Sequence, residues 1–256
     1  MNTDNNILPV HSFAQTLFND EFKELSVDFG EMALDQLIAL FLEDAALGVL
    51  KDIPLIQSLL TIRRTALGIR EYFNLKKQLA FIQALQRGNP DPGGVQQRRE
   101  AARLGKKWFR DEVETTLLYL DRQNKVEKAI IMAELYKDLL NNTITFLEYQ
   151  DYLCVLELLF LSDIVQLIEL LEAEKKREQP ISEPEAVTEE LYMGRVIVTR
   201  TDYIRCNRLL SLGLLYSAQQ IHDNANGPYS LTRPGRYLAE LFCKKRITKN
   251  SEEKET

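Results

Sequence analysis

Histidine, cysteine and tryptophan are scarce in this sequence, which has 2, 3 and 1 of them among 256 residues. His11 and His222 lie far apart in polar stretches, and no CxxC or HxxxH spacing occurs, which argues against a clustered His/Cys metal site. Cys154, Cys206 and Cys243 are odd in number and widely separated, so they form no disulfide framework and fit a reducing, cytoplasmic setting. Cys154 and Cys206 fall within apolar helical faces, where a buried inert thiol is the expectation. A G-x-S-x-G nucleophile elbow and a G-x-x-x-x-G-K-[ST] phosphate loop are both missing. The phrase TITFLEYQ resembles the exit of a calcium loop, but the preceding LLNN lacks the ligand run such a loop needs. No catalytic residue, metal or cofactor is therefore expected, and the chain is read as a binding protein and not as an enzyme.

A long uninterrupted apolar run is also missing. A spanning helix needs about 20 apolar residues. The segment IPLIQSLLTIRRTALGI carries Arg63 and Arg64 in its middle, and YLCVLELLFLSDIVQLIELL carries Glu157, Asp163 and Glu169. At about 100° per residue those carboxylates spread around the helix instead of lining one face. Both segments are read as core helices of a bundle. A membrane-surface role for Leu55–Ile69, with Arg63 and Arg64 at the headgroups, is the alternative. MNTDNNILPV has no basic stretch leading into an apolar one, so no secretory signal is expected.

The net charge of −6 argues against wholesale coating of nucleic acid but leaves room for local basic patches. From Asp4 to Asp44 the acids face the single base Lys23. From Lys51 to Arg87 the balance reverses, with only Asp52 and Glu71 opposing the cations. Antiparallel helices that pair their surfaces explain this pattern. The sharper reading makes the basic segment a docking face for acidic lipid or nucleic acid.

The chain reads as mainly α: a multi-helix bundle followed by a small winged-helix-like domain with two short strands. Residues 1–18 are expected to be a flexible N-terminus and 19–178 a helical domain. A linker at 179–184, a winged-helix-like domain at 185–246 and a disordered tail at 247–256 complete the division. Within the body, FGEMALDQLIALFLEDAALG is helical by periodicity, and Pro54 opens a helix extending to Leu85. RGNPDPGG is the strongest loop signal. Gln96–Leu120 is read as one helix with Ala101, Leu104, Trp108, Val113 and Leu117 inward, and Lys125–Leu140 as the next, closed by Asn141-Asn142. Thr145 and Glu148 form a capping box that starts a helix running to about Lys176. The proline-containing EKKREQPISEPE is the interdomain linker.

Thr201–Phe242 has the order of a winged helix-turn-helix: helix, two short strands, closing helix. Thr201 or Asp202 caps a helix over Tyr203–Leu215, whose Ile204, Leu209, Leu212 and Leu215 pack inward, and Gly213 is its left-handed stop. Tyr229 and Leu231 alternate as in a half-buried strand. Thr232 caps the last helix, with Pro234 in its first turn and Leu238, Leu241 and Phe242 inward. If this end reads DNA, Arg205, Asn207 and Arg208 occupy the recognition positions, and Arg200, Arg233 and Arg236, with Lys244, Lys245 and Arg246, contact phosphate. Glu183, Glu185, Glu189 and Glu190 stand just before it and favour a protein contact instead.

NRLLSLGLL followed by YSLTRPGRYLAELF resembles the C-terminal end of the α-type abortive-infection proteins of bacteria. EMALDQLI, LKDIPLIQSLL and FNLKKQLAFIQAL are similar to segments of prophage-encoded helical proteins. The resemblance implies a cytosolic bacterial protein of phage-defence or regulatory type and carries over no catalytic residue. The expected function is non-enzymatic interaction with a protein partner, with self-association open. A DNA-binding regulator and a membrane-associated effector are the alternatives.

Overall fold

The computed structural model describes residues 13–19, 69–178, 200–217 and 229–252. As the hydrophobic patterning predicts, the described residues are mostly helical, with a small two-stranded antiparallel sheet near the C-terminus. Contacts divide it into Met1–Glu157 and Leu158–Thr256. Among the described residues no helix is long and apolar enough to cross a membrane.

The first unit contains α1 (residues 13–17), α2 (Ile69–Arg87), α3 (Pro92–Arg103), α4 (Lys107–Arg122), α5 (Val126–Leu140) and α6 (Phe146–Leu158). Helices α2 and α5 pack most extensively, burying Leu79, Phe81, Ile82 and Leu85 against Met132, Ala133, Leu135, Tyr136 and Leu139. Aromatic contacts run through this core from Phe13 to Phe81 at 5.8 Å between ring centroids, then to Tyr136 at 5.7 Å and Tyr149 at 5.7 Å.

The core also holds charge. Buried Glu112 accepts hydrogen bonds from Arg98 Nε and Nη2, each at 3.3 Å, and from the Tyr136 hydroxyl. Next to it Thr116 and Tyr149 share a hydroxyl–hydroxyl hydrogen bond at 3.1 Å. A carboxylate in such a place is tolerable because its lone pairs meet donors, one of them a cation. Two lysines reach helix ends across the packing. Lys77 Nζ donates to the carbonyls of Asp121 and Gln123, each at 2.9 Å, at the end of α4. Lys128 Nζ donates to those of Leu156 at 2.8 Å and Glu157 at 3.2 Å, at the end of α6. Each supplies positive charge where the helix dipole is negative and carbonyls lack intrahelical partners. Burial lowers the Lys77 ammonium pKa, against the pull of the Asp121 charge.

Local signals set most helix ends as expected. Thr145 and Glu148 form the reciprocal capping box: Thr145 N–H donates to Glu148 Oε2 at 2.7 Å, and Glu148 N–H to Thr145 Oγ1 at 3.2 Å. Asn142 takes φ 56° after α5 and lets the chain turn there. Three expectations need correction. Gln96–Leu120 is not one helix: α3 begins at Pro92 and stops at Arg103, and α4 starts at Lys107. Gly105, at φ 60°, closes α3 in a Schellman turn, with Gly105 N–H donating to Ala102 O at 3.1 Å and Lys106 N–H to Ala101 O at 2.9 Å. That break turns Leu104 and Trp108 outward instead of inward. The helix from Thr145 toward Lys176 is likewise two helices, α6 and α7 (Leu161–Glu178), because Asp163 Oδ2 accepts the Phe160 N–H at 2.7 Å and starts a new one. Cys154 is exposed, not buried, whereas Cys206 is buried.

The expected body ended at residue 178, but the contact division falls between Glu157 and Leu158, so α7 belongs to the C-terminal unit. The linker proposed at 179–184 lies outside the described residues, as do Arg63 and Arg64.

Two substitutions test the packing. A Cβ on Gly94 would stand 2.0 Å from the carbonyl oxygen of Leu140, whereas one on Gly93 meets only the Asp91 side chain, at 3.0 Å. Gly94→Ala is expected to cost the first unit at least ~2 kcal/mol in chemical denaturation, comparable to overpacking a core, and Gly93→Ala far less. The second test uses pH. Burial raises the pKa of both Tyr136 and Tyr149; the Glu112 charge adds to the effect at Tyr136, while the hydrogen bond with Thr116 opposes it at Tyr149. The folded chain thus keeps protons that the unfolded chain releases above about pH 10. The associated stability is complete below that pH and is lost as pH rises beyond it. Denaturation midpoints measured from pH 8 upward should fall above about pH 10, and less steeply in Tyr149→Phe.

Candidate functional site: the winged-helix-like surface

The C-terminal unit begins with α7 and continues with α8 (Arg200–Ser211), β1 (Leu215–Ser217), β2 (Tyr229–Leu231) and α9 (Arg233–Glu252). Helix α8 therefore starts at Arg200 and ends at Ser211, where continuation to Leu215 was expected; Leu215 opens a strand. Gly213, at φ 69°, ends α8 in a Schellman turn, with Gly213 N–H donating to Leu210 O and Leu214 N–H to Leu209 O, each at 2.9 Å. The buried side chains of Leu209 and Leu214 flank this turn. Strands β1 and β2 pair antiparallel, with Leu215 opposite Leu231 and Ser217 opposite Tyr229. Both leucines are buried; for Leu231 this is what its alternation with Tyr229 predicts, while Tyr229 itself is half-buried.

Thr232 joins the hairpin to α9. Its N–H donates to Leu214 O at 3.0 Å, its hydroxyl donates to Gly213 O at 2.7 Å, and its Oγ1 accepts the Gly235 N–H at 3.2 Å. One threonine thus caps α9 and ties it to the turn after α8. Gly235 sits against the Leu214 carbonyl, where a Cβ would come within 2.0 Å of the oxygen. Leu238, Leu241 and Phe242 pack inward as expected.

Helix α7 decides what the basic residues do. Glu174 Oε1 accepts the Leu231 N–H at 2.8 Å and covers the outward donor of the wing strand. Its other oxygen, Oε2, lies 2.8 Å from Arg236 Nη2. Asp163, whose side chain is 0 % exposed, stands 3.4 Å from Arg208 Nε. The Arg208 guanidinium also lies over the Phe160 ring, 4.1 Å from its centroid. Buried Gln166 donates to Cys206 Sγ at 3.3 Å. Arg208 and Arg236 are therefore engaged by α7 and hold the module together.

The other nominated contacts are distributed differently. Asn207 is exposed on α8, and Arg233 is exposed at the start of α9. The side chains of Arg200 and Arg205, and those of Lys244, Lys245 and Arg246, lie outside the described residues. Exposed Tyr216 on β1 was not nominated from the sequence. The alternation of Leu215, Tyr216 and Ser217 carries the strand signal, which a helix continued to Leu215 conceals. Among the described residues no group of three or more His, Cys, Asp or Glu side chains is placed to hold a metal ion. No family model matches the chain, and neither does any curated relative or solved structure.

Removing Glu174 tests the clamp. Glu174→Ala leaves the part-buried Leu231 N–H without its acceptor, and the C-terminal unit should lose about 1–3 kcal/mol in denaturant unfolding. Glu174→Gln keeps an acceptor and should lose less. Equal loss in both would show that the ion pair with Arg236, and not the strand contact, carries the effect.

Proposed function

We propose that the chain is a non-enzymatic interaction protein of phage-defence or regulatory type whose winged-helix-like end docks a protein partner. The observation that carries this reading is the engagement of Arg208 and Arg236 by Asp163 and Glu174. A DNA-reading winged helix needs cations free to release phosphate counterions. Here those two guanidiniums neutralise carboxylates of their own module. The exposed side chains of the module include Tyr216, Asn207 and Arg233, and tyrosine and arginine are residue types enriched in protein-binding hot spots. The abortive-infection resemblance of residues 201–242 supports the defence type. DNA reading is the second proposal, supported by exposed Asn207 and Arg233.

Fluorescence anisotropy with a labelled duplex separates the two. The docking reading expects binding no tighter than the ~10⁻⁴ to 10⁻⁶ M of non-specific contact, unchanged by Asn207→Ala or Arg233→Ala. Tighter, salt-dependent binding that weakens in both variants would replace it with the DNA reading. The defence type expects expression of the chain to alter phage plating, and unchanged plating across a broad phage panel would remove it.

A further inference from the structure

The α3–α4 corner combines features that the docking reading does not use. Leu104 is 51% exposed and Trp108 is 43% exposed, on either side of the Gly105 turn. Around them stand Arg103, Lys106, Lys107 and Arg110, all exposed, and from Ala101 to Arg110 there is no acidic residue. Arg103 is paired with Glu100 at 2.7 Å. Lys106, Lys107 and Arg110 form no salt bridge among the described residues. In a chain of net charge −6 this is a local excess of positive charge around an apolar tip, bounded by Glu100, whose charge also acts on Lys106, and by Asp111.

We propose that this corner is an interfacial anchor for an anionic lipid surface. The backbone of the turn suits that environment. The Schellman hydrogen bonds of Gly105 and Lys106 are internal, and Arg110 N–H donates to Lys106 O at 3.2 Å. The first turn of α4 contains no acid, and Lys106 provides no side-chain cap, so its outward donors meet headgroup oxygens. Tryptophan favours the headgroup level, where its ring is in contact with acyl chains and its N–H with water, and leucine adds apolar area below it. The cations hold the corner at an anionic leaflet, contributing about fivefold each to partitioning.

The same residues suit other macromolecules less well. Lysine is depleted in protein interfaces, which weighs against a protein partner here. Exposed leucine has no base-edge or phosphate partner on a nucleic acid. The guanidinium of buried Arg98 lies 5.6 Å from the Trp108 ring centroid, so the ring already has one cation contact within the protein. A lipid interface uses the leucine, the tryptophan edge and the lysines together.

Trp108 is the sole tryptophan of the chain, so its emission reports directly on the corner. The full chain would be titrated with phosphatidylserine-containing vesicles, with pure phosphatidylcholine vesicles and with a single-stranded oligonucleotide. The expected result is a blue-shifted, stronger emission with anionic vesicles alone, reversed by salt, together with co-sedimentation. The Lys106→Glu, Lys107→Glu double variant should partition at least ~20-fold more weakly, from the loss of two cations alone, and Leu104→Ser should reduce the blue shift. All three positions are exposed, and circular dichroism would confirm that the variants keep the helical content of the parent. Unchanged emission with every vesicle would overturn the proposal. Quenching by the oligonucleotide with no vesicle response would also overturn it and assign the corner to nucleic acid. Vesicle binding that persists in the double variant, with Trp108 emission unshifted, would place the contact elsewhere on the chain.

Discussion

A helix that ends inside a protein exposes carbonyl or amide groups to surroundings where water cannot reach them, and each such end must find a partner from elsewhere in the chain. This constraint organises the first unit. The end of α4 is met by Lys77 from α2, and the end of α6 by Lys128 from α5. The start of α3 uses Asp91 as its own cap and donates the Asp91 N–H to Asn141 Oδ1, just past α5, at 2.8 Å. These contacts fix which helix end meets which neighbour, something apolar packing, being non-directional, leaves loose. The Glu112 cluster adds the same kind of direction at the centre of the unit.

In the C-terminal unit the corresponding task falls to Thr232, Glu174 and Asp163. Thr232 binds the hairpin turn and the last helix into one corner. Glu174 satisfies the free donor of the wing strand. Asp163 starts α7 and draws Arg208 down onto Phe160. This order commits Arg208 and Arg236 to carboxylates of the same module, and the proposal that it docks a protein partner rests on that commitment. Helix α7 is thus an integral part of the winged-helix-like end.

Much of the fold was legible in the sequence because its signals are local. The capping box at Thr145 and Glu148, the left-handed stop at Gly213, and Thr232 followed by Pro234 act within a turn or two of chain, and each appears where periodicity and capping chemistry place it. Periodicity alone carries one helix from Gln96 to Leu120 across Gly105 and so points Leu104 and Trp108 into the core. Helical spacing places residues on a face only while the helix continues, and the left-handed turn resets that phase. Asp163, counted as one carboxylate on a long helix, begins a new one.

The candidate site was legible in residue type but not in role. Sequence alone determined the helical class, the order helix–strand–strand–helix at the C-terminal end, and a set of basic residues around it. Tertiary structure decided which of those residues face outward. The carboxylates that engage Arg208 and Arg236 lie far from them in the sequence, on α7, and no spacing rule connects the two. Turns and caps are short-range interactions, so they are written in adjacent residues. Ion pairs and burial depend on chain segments that meet only after folding.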